Sequence, residues 1–179
     1  MNTITTSLTL ASLLALAACN GESTDTTADA TAQAPADTGP VWLLASNPGE
    51  AMSIADARAK ATEGDTVTIR GIIGGRKDAL SGEAGVFVLM DESVNNACVS
   101  SGDDHCGTPW DYCCASQEEI MANNASVQLV GEDGRTIAKN LREFGIEELD
   151  TVVIVGAVGA RPTENVLTIR ASKIFVETN

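Results

Sequence analysis

The chain has 179 residues, 25 acids against 11 bases, a single His and a formal charge of −14. Nucleic-acid binding needs a basic footprint that displaces phosphate counterions, so this balance excludes a polyanion as expected partner and reads as solubility. With 44 % hydrophobic residues the chain can build one core.

The first feature in chain order is an apolar run that closes in Leu16-Ala17-Ala18-Cys19 and gives way to polar sequence. A short apolar segment ending in small residues has the form of a secretory signal peptide. Its 11 residues, 8–18, are too few to cross a bilayer as a helix. Leu16-Ala17-Ala18-Cys19 resembles the lipobox of bacterial lipoproteins. The resemblance implies removal of residues 1–18, lipidation of the Cys19 thiol, and acylation of the new N-terminus. It also implies a cell-envelope protein attached to a membrane. Asn20 is not the Asp that retains lipoproteins in the inner membrane of some bacteria, so outer-membrane placement is expected.

Residues 19–40 read as a tether. From Asn20 on it has no aromatic residue and no Leu, Ile, Val or Met, so it cannot bury enough surface to offset ordering entropy. Its acids are Glu22, Asp25, Asp29 and Asp37, with no base. As a flexible coil it reaches on the order of 25 Å. Residues 41–179 are expected to form one domain, with 21 acids against all 11 bases and a charge of about −10.

Within that domain, Ser53-Ile54-Ala55-Asp56 opens a short helix over residues 53–62, with Gly64 past its end. Residues 66–75 alternate as a half-buried strand, in which Gly71 predicts a bulge or bend. A turn at 81–83 leads to an apolar strand, 84–91. Ser116-Gln117-Glu118-Glu119 is a capping box for a helix ending near Asn123. A third strand covers 127–130 and a turn 131–134. A short helix is expected within 140–149, broken at Gly145. The strand 151–158 is the most apolar, and 165–170 with 173–177 form one bent strand or two.

Five strands, a Gly-bearing first strand and a helix before the fourth resemble the OB-fold. Gly64-Asp65-Thr66-Val67-Thr68-Ile69-Arg70-Gly71, after the Ser53-Ile54-Ala55-Asp56-Ala57-Arg58 helix, resembles the opening of exported bacterial OB-fold domains. Leu167-Thr168-Ile169 and Lys173-Ile174-Phe175-Val176, after the strand 152–158, resemble their closing hairpin. The resemblance covers residues 53–177. It implies a mainly β, five-stranded OB-fold-like Greek-key barrel with short helices and a Cys-rich inserted loop at about 93–126. A β-sandwich is the rival.

That loop carries Cys98, Cys106, Cys113 and Cys114 beside Asp103, Asp104, His105, Pro109, Trp110, Asp111 and Tyr112. The string from Asp103 to Cys114, with its Thr-Pro-Trp-Asp-Tyr-Cys-Cys ending, resembles a signature of uncharacterised exported proteins and implies no activity. An oxidising compartment and an even count favour two disulfides: Cys98–Cys113 with Cys106–Cys114, or the crossed pairing. The alternative is a zinc or copper site from Cys98, His105, Cys106 and Cys113 or Cys114. Gaps of seven and six residues differ from the usual close zinc pairs, and adjacent side chains diverge in extended chain. Thiol-redox catalysis would want Cys-x-x-Cys, which the loop lacks. Hydrolase, P-loop and His-Glu-x-x-His motifs are missing too, so no enzyme and no cofactor are expected. Trp110 and Tyr112 are candidates for ligand stacking or for packing over the barrel. With His105 and Asp111 they form the candidate contact surface for another envelope component.

Overall fold

The computed structural model describes residues 39–102, 106–163 and 165–177. The signal peptide, Cys19 and the tether to residue 38 lie outside the described residues, as do Asp103, Asp104 and His105.

Ser53 starts the first helix, α1 (Ile54–Lys60), by accepting the Asp56 N–H at 3.0 Å. That bond satisfies one of the donors a helix start leaves open. Ile54 and Ala57 face inward from α1 and are fully buried. The strands are β1 (Thr66–Ile73), β2 (Val86–Met90), β3 (Asn124–Leu129), β4 (Thr151–Val158) and β5 (Thr168–Val176). In β1, burial falls on Val67, Ile69, Gly71 and Ile73, the period of a strand with one face on a core.

The strands follow the order β1-β2-β3-β5-β4 and close, because β1 also pairs with β4. Every pair is antiparallel except β3 with β5, where Val127 faces Ile169 in parallel register. This closed five-stranded barrel is OB-fold-like. Closure leaves no two facing sheets, so the β-sandwich alternative falls away. β1 joins two parts of the wall, pairing with β4 up to Ile72 and with β2 from Ile72 onward.

The bulge expected at Gly71 is not found, and the short helix expected before β4 is. Gly71 sits in unbroken register opposite Val152, and the barrel's bulge lies between Val155 and Gly156 of β4. A Cβ on Gly71 would stand 2.8 Å from both the Ile54 side chain and the Met90 carbonyl. The mid-strand glycine therefore marks a close approach of α1 and β2 rather than a bulge. The helix before β4 is a single 3-10 turn, Leu141–Phe144, capped by the Asn140 side chain and ended by Gly145 at φ 75°. β5 is continuous.

Residues 42–44 add a contact that local patterning did not reveal. The Ile174 N–H donates to the Trp42 carbonyl and the Leu44 N–H to the Ile174 carbonyl, each at 2.8 Å. This lays Trp42 edge-on against Phe144, with ring centroids 4.9 Å apart. The main core is aliphatic, with Ile69, Leu89, Val127, Leu129, Ile154 and Ile169 fully buried. A second small cluster of Met90, Val94, Tyr112 and Ile120 lies under the chain between β2 and β3.

Candidate functional site

The β2–β3 loop contains α2 (Ala97–Ser100), a 3-10 turn (Pro109–Asp111) and α3 (Gln117–Ala122). Ser116 caps α3 by accepting the Glu119 N–H at 3.1 Å, as the capping box predicts.

Asp91 fixes the start of the loop. Its side chain accepts the Ala55 N–H at 2.9 Å, the Ser93 hydroxyl at 2.7 Å and the Ser93 N–H at 3.0 Å. Burial pushes this carboxyl up. Hydrogen bonds from Ala55, Ser93 and Ile54 outweigh burial and hold it below its ordinary value. Asn96 then does two things. Its Oδ1 caps α2 at the Val99 N–H, and its Nδ2 donates to the Pro109 carbonyl at 2.7 Å. Helix α2 and the 3-10 turn are thereby joined.

The turn docks on the glycine corner after β1. The Gly75 N–H donates to the Trp110 carbonyl at 2.8 Å. A Cβ on Gly74 would lie 2.7 Å from that carbonyl and 3.0 Å from the Tyr112 ring. Trp110 donates its indole N–H to the Lys77 carbonyl at 2.9 Å and packs against the core. Tyr112 is 1 % exposed. It is therefore a core residue: of the two expectations for this ring, packing holds and membership of a contact surface is corrected. Its hydroxyl lies beside Asn96 but outside hydrogen-bond geometry.

Tyr112 also turns the chain. Its backbone is left-handed, with φ 57° and ψ 37°, and the Ala115 N–H closes the turn on its carbonyl at 2.9 Å. Cys113 and Cys114 follow this turn, and both come back to α2. The Cys98 sulfur lies 3.4 Å from that of Cys113 and 3.6 Å from that of Cys114. Cys113 is 3.9 Å from Cys114 and 3.8 Å from Cys106. The adjacent pair does not diverge, because the chain here is turned rather than extended.

No sulfur–sulfur bond joins the four. Cys98 is buried, Cys106 half-buried, and Cys113 and Cys114 exposed. They line an open recess of about 470 Å³ together with Thr108 and Asp111. Asp111 accepts the Thr108 hydroxyl at 2.7 Å and the Cys113 N–H at 2.8 Å. Its carboxylate groups with the Cys106 and Cys113 sulfurs within 4.8 Å. A contact with Cys113 lowers the Cys98 pKa, but Cys106, Cys114 and burial push it up to about 11. Cys113 is pushed up strongly by Cys98, Cys106 and Cys114. Crowded sulfurs disfavour a second negative charge, which is why Cys98 and Cys113 are both pushed up.

Four tetrahedral sulfurs at about 2.3 Å from one ion have edges of about 3.8 Å. The contacts of 3.4–3.9 Å bracket that edge. Cys98 and Cys113, paired in one expected bridge, are the 3.4 Å contact. Yet Cys113 has three sulfur neighbours, so proximity alone does not select its partner.

A larger groove of about 630 Å³ lies elsewhere, lined by Arg58, Lys60, Thr62, Arg161 and Asn165. Arg161 donates there to the Arg58 and Ala61 carbonyls at 3.0 and 2.9 Å, which ties α1 to the segment after β4. Lys60 pairs with Asp56 at 2.8 Å. These basic groups serve structural ties, and the chemistry-bearing residues lie in the cysteine recess.

No protein-family model matches the sequence, and no curated protein matches it. A solved structure, that of the hypothetical protein ygiW from E. coli, matches over 78 % of this chain and 99 % of that chain. The identity is 15 % and the TM-score 0.36. The barrel's own topology and the sulfur geometry define the class: an OB-fold-like domain with a cysteine cluster on its β2–β3 loop.

Proposed function

We propose that this chain is a lipid-anchored module of the bacterial cell envelope, without catalytic activity, whose barrel presents the β2–β3 loop as a binding surface. One observation carries the reading: the loop has two faces. Trp110 and Tyr112 are committed to the barrel, while Cys113 and Cys114 open onto the recess. The groups offered for binding are thus thiols and the Asp111 carboxylate rather than aromatic rings. A rigid scaffold with its chemistry on one loop is a common arrangement of binding sites. The lipobox and tether support the anchor, and a doubly acylated Cys19 would hold the module stably. The second reading, a metal-binding or thiol-redox envelope protein, is favoured by the convergence of the four sulfurs.

Cell fractionation tests the anchor. The parent is expected in the membrane fraction, and Cys19→Ala in the soluble fraction or as uncleaved precursor. A Cys19→Ala protein that is processed and partitions like the parent would remove the anchor. Maleimide labelling of the same protein, after mild reduction and chelation, tests the surface. Cys113 and Cys114 should label before Cys98, and equal rates would remove the recess.

A further inference from the structure

We propose that Cys98, Cys113 and Cys114, completed by Cys106, bind one thiophilic d10 cation, Zn²⁺ or Cu⁺, in the recess of the β2–β3 loop. This rests on reading that loop as the binding surface and is independent of the lipid anchor.

Three observations converge. First, the sulfurs of Cys98, Cys113 and Cys114 lie within 4.8 Å of one another, and Cys106 stands 3.8 Å from Cys113. Four sulfurs at about 2.3 Å from one ion stand about 3.8 Å apart, close to the contacts that Cys113 makes with the other three and Cys98 with Cys114. Second, the elements that carry them are positioned without using sulfur. Asn96 caps α2 and ties it to Pro109, the Trp110 carbonyl sits on Gly75, and Asp111 holds the Cys113 N–H. The donors are therefore brought together before any ion arrives. Third, the chemistry fits. Thiolates are soft ligands that select Zn²⁺ and Cu⁺ over hard cations. Binding Zn²⁺ through four thiols releases four protons and leaves a four-thiolate complex of charge −2. No oxidation state changes and no oxidant is required. Oxidation of the same four sulfurs to two disulfides would remove four electrons and abolish the site, so metal and disulfides are mutually exclusive outcomes.

The test uses the full chain, isolated from the envelope in detergent without reductant or chelator. Elemental analysis and a thiol count under denaturation in chelator are made on one sample. About one equivalent of zinc or copper with four thiols from the loop is expected, and a fifth where Cys19 carries no lipid. No metal and no loop thiols would overturn the proposal and leave two bridges. The loop as a surface would still stand or fall by its own labelling test. Reduced, metal-free chain is then titrated with Zn²⁺ alone and, separately and without oxygen, with Cu⁺ alone. Uptake of one ion of either kind supports the site, and uptake of neither overturns it. For Zn²⁺, about four protons should be released per ion. Cys98→Ser, Cys113→Ser and Cys114→Ser should each weaken binding beyond the roughly 10–100-fold typical of residues behind a ligand. His105→Ala should bind as the parent does. Retention of affinity by Cys114→Ser with loss by His105→Ala would overturn this ligand set. A far-UV spectrum unchanged from the parent identifies variants whose barrel is folded.

Discussion

The carboxylate of Asp91 accepts the backbone N–H of Ala55 at 2.9 Å, across 36 residues of chain. One buried acid thus caps the start of α1 and, through Ser93, sets the first turn of the β2–β3 loop. The chain that leads into the cysteine recess and helix α1 share this anchor.

Removing that anchor should cost stability. Asp91→Ala loses a helix cap of about 1 kcal/mol and leaves buried donors without partners, for a total of roughly 2–4 kcal/mol. Urea denaturation measures it. The pH dependence has a definite sign. The folded carboxyl lies below its unfolded value, so its stabilisation is full above about pH 4 and is lost as pH falls through the folded value. Stability of the parent should fall relative to Asp91→Asn below about pH 4. Parallel curves for the two proteins across that range would show that Asp91 is not the titrating group.

The glycine corner should tolerate a side chain far less well than an open turn does. Gly74→Ala places a Cβ 2.7 Å from the Trp110 carbonyl and should cost about 1–3 kcal/mol as the loop is lifted. Gly82→Ala meets nothing within 4 Å and should stay within about 0.5 kcal/mol of the parent. Thermal melts of the two variants make the comparison. Equal stability would mean that the loop does not rest on this corner.

The strands and helix caps were legible because they are local. Val67, Ile69 and Ile73 alternate within a few residues, and Ser53 and Ser116 sit three residues before the donors they cap. The missed features are set by partners far along the chain. Trp42 is tied to β5 through Ile174 and packs against Phe144, both far along the chain. Gly71 satisfied the sequence signal for a bulge, but the same residue type serves a close approach, and only Ile54 and Met90 decide between them. Convergence of the sulfurs depends on Tyr112 taking a left-handed conformation that local propensity would assign to Gly or Asn. Its burial against Met90 and Ile120 compensates that strain, and Met90 comes from β2, well before it in sequence.

Because the loop is held by Asp91, Asn96, Trp110 and Tyr112, its sulfurs should matter little to the barrel once metal is gone. In reductant and chelator, Cys113→Ser and Cys114→Ser are surface changes and should shift unfolding by less than about 0.5 kcal/mol. A loss of 2 kcal/mol or more in denaturant titrations, a value on the scale of a structural crosslink, would show that sulfur contacts hold the loop.

Tyr112 separates packing from polarity. Its ring fills the cluster with Met90, Val94 and Ile120, so Tyr112→Ala should cost about 3–5 kcal/mol and release the cysteines from α2. Its hydroxyl is buried without a hydrogen bond of good geometry. Tyr112→Phe deletes that oxygen, keeps the ring, and removes the cost of burying an unpaired polar group. The Phe variant should therefore be as stable as the parent or more so by up to about 1 kcal/mol. Its reduced form should take up Zn²⁺ with the parent's affinity, because the turn before Cys113 and Cys114 is intact. Urea titrations of Phe and Ala variants beside the parent read both effects. A Phe variant destabilised by more than about 1 kcal/mol would assign the hydroxyl a working hydrogen bond, with Asn96 as its partner.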